Sequence, residues 1–285
     1  MKITLGCLYP DIMSTYGDRG NVATLQRRCE WRGIAVELRE LRLGDRAEPD
    51  ELDLIVIGSG GESQQRLIAG DLHEVKGPGI REAVRQGAAA LAVGGGFELF
   101  GRFSRSGAGS ELPGAGLFDA WTIGHRAILS DQYDSLTEAR ADRAMGDLVV
   151  RWHDRLLVGF ENHNGGTYLG PTAAPLGQVV SGVGNNGDGS EGVQLGNAVG
   201  THLRGPCLPR NPALADFLIA AALRRRYGDV DLPELADDVE LAAREVAMQR
   251  ARMTSRVRRG RVILRRPARP VSPAETARQP DRYPR

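Results

Sequence analysis

Ala88-Ala89-Ala90-Leu91-Ala92-Val93-Gly94-Gly95-Gly96-Phe97-Glu98-Leu99-Phe100-Gly101 decides the fold. Its first six residues are apolar without a break, as in a strand covered on both faces. Three glycines follow and allow a turn too tight for ordinary side chains. A helix is predicted from Phe97 to about Arg102. Strand, glycine-rich sharp turn and helix is the layout of a nucleophile elbow. Such a turn holds its central residue in a strained conformation and aims it into a site. A plain turn of a doubly wound sheet has the same local pattern, although no G-x-G-x-x-G follows it.

Outward from this stretch, strands and helices alternate. Ile3–Leu8 reads as a first strand and Asn21–Arg32 as a helix with Val22, Leu25 and Cys29 on one face. Ile34–Leu41 alternates like a half-buried strand, and Leu52–Ile57 is a continuous apolar run that ends in Gly58-Ser59-Gly60-Gly61. Gly79–Gln86 reads as a short helix. This alternation predicts a parallel sheet with helices on both faces. The second half is β-rich, with strands over Ala120–Leu129, Asp147–Trp152, Leu156–Glu161, Gln178–Val183 and Gln194–Leu203. Helices follow over Pro212–Arg225 and Leu235–Arg250. Residues 1–250 read as one domain. Residues 251–285 read as a disordered tail rich in arginine and proline.

Composition excludes several classes. No run approaches the roughly 18 apolar residues of a membrane span. The first residues alternate like a strand rather than a signal peptide, so a cytoplasmic protein is expected. Cys7, Cys29 and Cys207 are too scattered for a disulfide framework or a zinc site, and no metal or cofactor is expected. The net charge is +1. From Arg250 onward, however, 12 arginines face only Glu275 and Asp281, so the segment carries +10 against −9 for the rest. It has no stacking platform, which makes nucleic acid the weaker partner, and weak contact with an anionic membrane surface the stronger one.

Four segments carry a family resemblance. They are Leu8-Tyr9-Pro10-Asp11 with Thr15-Tyr16-Gly17-Asp18-Arg19-Gly20-Asn21; Ile57-Gly58-Ser59-Gly60-Gly61-Glu62-Ser63-Gln64-Gln65; Gly159-Phe160-Glu161-Asn162-His163-Asn164-Gly165-Gly166-Thr167-Tyr168-Leu169-Gly170; and Gly200-Thr201-His202-Leu203-Arg204-Gly205-Pro206. In this order they resemble the GatD subunit of lipid II isoglutaminyl synthase, a class I glutamine amidotransferase of cobyric-acid-synthase type. The resemblance covers about residues 1–250. It implies a three-layer α/β domain with a mixed, largely parallel central sheet. It also implies a Mur-ligase-like partner of MurT type, which uses ammonia released from glutamine to amidate a peptidoglycan precursor.

Set against that family, three positions depart. The family's nucleophilic cysteine position is Gly94, and a glycine has no group to form a thioester. The family's catalytic histidine position is Arg204, which stays protonated and takes no proton from a thiol. Glu98 replaces an amide beside the elbow. His202, two residues before Arg204, is the candidate surrogate base. Arg126 falls where the family has an arginine that clamps the substrate carboxylate. Gly60, Gly61 and Gly95 are placed to offer backbone N–H groups to an anion. The resemblance with these departures implies a GatD-like subunit degenerate for glutamine hydrolysis. The alternatives are an amidotransferase with relocated catalytic residues, or a repurposed protein that binds or makes a small molecule.

Overall fold

Two short strands, β3 (Leu54–Ile57) and β4 (Ala89–Val93), are buried along their whole length and form the centre of the molecule. Their alternate side chains enter two different cores. Leu54, Val56, Ala89, Leu91 and Val93 face one core, while Ile55, Ile57, Ala90 and Ala92 face the other. This period-2 division explains why both runs are apolar throughout. The computed structural model describes residues 1–124 and 143–260, with side chains up to Arg252.

The central sheet has six strands in the order β13-β14-β4-β3-β1-β2, with β1 at Lys2–Leu8, β2 at Ala35–Leu41, β13 at Val193–Leu195 and β14 at Ala198–Thr201. All neighbours are parallel except the β13–β14 hairpin at the edge. One face is covered by α1 (Arg19–Glu30) and α5 (Pro212–Tyr227), through Val22, Leu25, Cys29, Leu214, Leu218 and Ala222. The other is covered by α2 (Glu62–Asp71), α3 (Gly77–Arg85) and α4 (Gly95–Phe100), through Ile68, Ile80, Ala83, Phe97 and Phe100. The expected three-layer α/β domain with a mixed, largely parallel sheet is the one found.

Two smaller sheets complete the β-rich half. The first orders β10-β7-β5-β6, from β5 (Phe103–Arg105), β6 (Glu111–Pro113), β7 (Ala120–Gly124) and β10 (Gly165–Leu169). The second orders β12-β11-β8-β9, around the long hairpin of β8 (Ala144–Trp152) and β9 (Arg155–His163), with β11 (Gly177–Ser181) and β12 (Ser190–Glu191). The strand expected over Gln194–Leu203 is two strands, because Gly196 at φ 55° turns the chain back between β13 and β14. The strand expected over Ala120–Leu129 is seen as far as Gly124.

The last helix, α6 (Asp238–Gly260), runs ten residues past the expected end at Arg250. It is held by Ala247, Met248 and Ala251, which pack on Val149, Leu156 and Val158, and by an ion pair from Arg250 to Asp147. These three apolar residues follow the i, i+1, i+4 spacing of one helix face. The expected tail, with its surface-binding role, lies from residue 261 onward outside the described residues. Among the described residues no helix is long and apolar enough to cross a membrane.

α1 and α5 are clamped by a buried guanidinium. Arg28 donates Nε and Nη2 to both oxygens of Asp216 at 2.8 and 2.7 Å, and Nη1 to Asp237 at 2.5 Å. Its side chain is 1% exposed, and Arg32 adds a second contact to Asp216 at 2.9 Å. Breaking a buried pair strands the remaining charges. Arg28→Ala is therefore expected to lower stability in urea by about 3 kcal/mol, whereas Arg27→Ala, on the exposed face, shifts it by about 0.5 kcal/mol or less. Equal midpoints for the two variants would contradict the clamp.

Candidate functional site

β4 ends at Val93, and the chain turns at Gly94 with φ 54° and ψ −116° before α4 begins at Gly95. No L-residue adopts that conformation without strain. Gly94 N–H is fixed to Thr201 O at 2.8 Å, and Gly94 O accepts the Glu98 N–H at 2.9 Å. A β-carbon at position 94 would lie 2.6 Å from Arg204 Nε, 2.7 Å from its Cζ and 2.7 Å from Ser59 Oγ. The backbone is thus an elbow, and the room for its side chain is taken by an arginine from beyond β14.

Arg204 is positioned from three sides. Its backbone exchanges hydrogen bonds with Phe160 of β9, at 2.7 and 3.2 Å. Its guanidinium lies over the Tyr16 ring, 5.0 Å from the centroid, and Tyr16 Oη accepts a hydrogen bond from Asn162 at 2.8 Å. Its Nη2 is 3.8 Å from Glu98 Oε1. Glu98 is held in turn by Gln65 Nε2, which donates to Oε2 at 2.8 Å and to Gly60 O at 3.3 Å. Asp18, also buried, accepts the Ser59 N–H at 2.7 Å. Burial pushes its carboxyl up, while that backbone hydrogen bond and the charge of Arg204 pull it down.

Several of these groups line a cleft of about 270 Å³. Gly60, Gly61, Gln65, Glu98 and Arg204 line it, together with Tyr16, Asn162 and His163, whereas Gly94 and Gly95 are not among the lining residues. Glu62, which also lines the cleft, opens α2 directly after the glycine-rich residues 58–61. Arg105 and Arg143 also line the cleft. Neither stood out in the sequence, because lone arginines in an arginine-rich chain carry no pattern. Arg126 lies outside the described residues.

His202 is not among the residues lining the cleft. It is fully buried, its Nε2 is 3.0 Å from Thr167 Oγ1, and its ring stacks on His163 at 4.1 Å. Burial, then the neighbouring His163 and Arg204, hold its imidazole well below the ordinary histidine range, so it stays neutral. Beneath it Glu191 accepts the His202 N–H at 2.7 Å and the Thr201 hydroxyl at 3.1 Å, and burial raises its carboxyl to about 8. His163 hydrogen-bonds Gly165 O through Nδ1 at 2.9 Å, which leaves Nε2 3.6 Å from Glu161. His202, Glu191 and Glu161 are fully buried and outside the cleft lining, which His163 reaches.

None of the three cysteines lines the cleft. All three are buried, and burial raises Cys7 to about 11, Cys29 to about 12 and Cys207 higher still, so none is a thiolate near neutrality. Among the described residues no three His, Cys, Asp or Glu side chains gather as metal ligands. The cleft is equipped to bind a small polar molecule, with guanidinium groups, a carboxylate and backbone N–H groups.

Residues 4–212 match the CobB/CobQ-like glutamine amidotransferase domain. The chain is 32% identical over 252 residues to the GatD subunit of lipid II isoglutaminyl synthase (glutamine-hydrolyzing) from Staphylococcus aureus, which covers 88% of this chain and 96% of that one. It is 33% identical over 240 residues to the subunit of the same name from Streptococcus pneumoniae, covering 83% and 86%. Among solved structures, PurLQS from Thermotoga maritima is similar at 15% identity with a TM-score of 0.47, covering 79% of this chain and 99% of that chain.

The contact between Gly94 and Arg204 makes a quantitative prediction. Gly94→Ala is expected to cost about 1–3 kcal/mol from backbone strain, plus the overlap with the guanidinium. Arg204→Ala in the same chain removes the overlap but not the strain. A double-mutant cycle in urea is therefore expected to show a coupling of at least about 0.5 kcal/mol, the double variant losing less than the sum. Additive losses would mean that Arg204 does not occupy that space.

Proposed function

The chain belongs to the CobB/CobQ-like glutamine amidotransferase family, and from that membership we propose that it is a GatD-like subunit that does not hydrolyse glutamine. In this reading it acts beside a Mur-ligase-like partner of MurT type in the amidation of a peptidoglycan precursor. The relatives at 32% and 33% identity are each named as one subunit of a lipid II isoglutaminyl synthase, which supports both the partner and the substrate class.

The observation that carries the degenerate reading is the pair Gly94 and Arg204. Release of ammonia from glutamine requires a nucleophile at the amide carbon and a base to activate it. The elbow offers a backbone with no side chain, and a permanently charged guanidinium fills the adjoining space. Loss of the nucleophile in a triad hydrolase costs about a million-fold in rate. Relocated catalysis through His202 has little support. The imidazole is fully buried, hydrogen-bonded to Thr167 and away from the cleft lining. The subunit then serves its partner by binding rather than by supplying ammonia, and the partner draws on free ammonia or another amine.

Ammonia release from glutamine, measured with and without the partner, tests this. No release above buffer is expected. Turnover at about 1 per second that a thiol alkylator abolishes would overturn the proposal. The converse change is Gly94→Cys with Arg204→His and Glu98→Gln, which restores thiol, base and amide together. Its activity is expected to exceed the sum of the single changes, because nucleophile and base act as a unit.

A further inference from the structure

Arg204 is buried without the hydrogen bonds that a buried guanidinium requires. Its side chain is 6% exposed, and its Nε has no partner. The Glu98 oxygen at 3.8 Å is beyond hydrogen-bond length. A guanidinium carries five N–H donors in a planar fork. Arg204 lines the cleft with no hydrogen bond to its guanidinium among the described residues, so acceptor oxygens of a ligand suit its terminal N–H groups. The N–H groups of Gly60 and Gly61, on the same cleft, have no partner among the described residues. They add further donors to the same side of the ligand.

The other half of the ligand follows from what stands opposite. Glu98, which also lines the cleft, spends Oε2 on Gln65, and its Oε1, beyond hydrogen-bond length from Arg204 Nη2 at 3.8 Å, has capacity to accept from a cationic group. Arg105 and Arg143 hold positive charge elsewhere in the lining. A volume of about 270 Å³ accommodates one amino acid.

We infer that the cleft binds a free acidic amino acid, with its side-chain carboxylate on the Arg204 guanidinium and its ammonium toward Glu98. This rests on the proposed function, since it takes the family's cleft as intact and its chemistry as lost. A carboxylate offers acceptors only, which match the fork in two parallel bonds. The amide of glutamine turns an N–H₂ toward the same donors, so one of the two bonds is lost and the attraction of opposite charges disappears. The substitution that removes the catalytic base thereby turns selectivity from amide to acid.

Calorimetric titration of the full-length protein with L-glutamate and with L-glutamine tests this. Glutamate is expected to bind at least about tenfold more tightly, a difference of about 1.4 kcal/mol. In Arg204→Met, with an unchanged melting temperature, the two ligands are expected to bind within about twofold of each other. Equal or tighter binding of glutamine by the unaltered chain, or no binding of glutamate at millimolar concentration, overturns the inference. If the variant does not fold, the ratio in the unaltered chain decides alone. An ammonia assay on the titrated samples separates the two claims. Ammonia from glutamine refutes the proposed function, whereas absent ammonia with no preference for glutamate refutes this inference only.

Discussion

A buried guanidinium lies against a backbone turn that carries no side chain, and the shape of the cleft follows from that contact. Arg204 is able to approach Gly94 because residue 94 has no β-carbon; any other residue there would bring one within 2.6 Å of Nε. The converse also holds. With Arg204 in place, the elbow is closed to the side chain that such a turn normally presents. Desolvating the cation costs several kcal/mol, offset in part by the Tyr16 ring, a contact worth about 2 kcal/mol when shielded from water, and by the charges of Glu98 and Asp18. What remains without a partner among the described residues is Arg204 Nε, on a residue that lines the cleft.

Buried acids fix the backbone nearby. Glu161 accepts the N–H groups of Val183 and Gly184 at 2.7 and 2.9 Å, and Glu191 fixes the backbone at His202. His163, which lines the cleft, stacks on the buried His202, and the two residues contact Glu161 and Glu191 respectively. A neutral His202 is consistent with this role, because a second cation beside Arg204 would raise the cost of burial. Glu161 and Glu191, which hydrogen-bond the backbone here, are not among the residues that line the cleft.

Much of the fold was legible in the sequence, and for one reason. β3 and β4 are apolar at every position because each supplies side chains to two cores, and that requirement is visible as an unbroken run. The short strands β5, β6, β10 and β12 were not legible, since two to five residues leave no room for a periodic pattern. α2 was hidden by its polar sequence, Glu62-Ser63-Gln64-Gln65-Arg66, which follows directly on glycines. The final turns of α6 were read as disorder because arginines dominate there, although Ala251 anchors the helix. In the site, Arg204, Glu98, Gly60 and Gly61, singled out from motif order, line one cleft, whereas Gly94 lies against Arg204 and neither it nor Gly95 is among the lining residues. The place of His202 was not recoverable from strand alternation, because β14 ends at Thr201 and the pleat no longer sets the direction of the next side chain. Arg105 and Tyr16 reach the site from distant segments, a convergence that only the tertiary fold reveals.

The central claim is that the cleft contains no nucleophile able to attack a glutamine side chain. Intact-mass analysis after incubation with an electrophilic diazoketone analogue of glutamine tests it most directly, because a single covalent event is recorded without need for turnover or a partner. The account predicts an unchanged mass for the folded protein at neutral pH. A stoichiometric single adduct, blocked by excess glutamine and mapped to a residue lining the cleft, would contradict it.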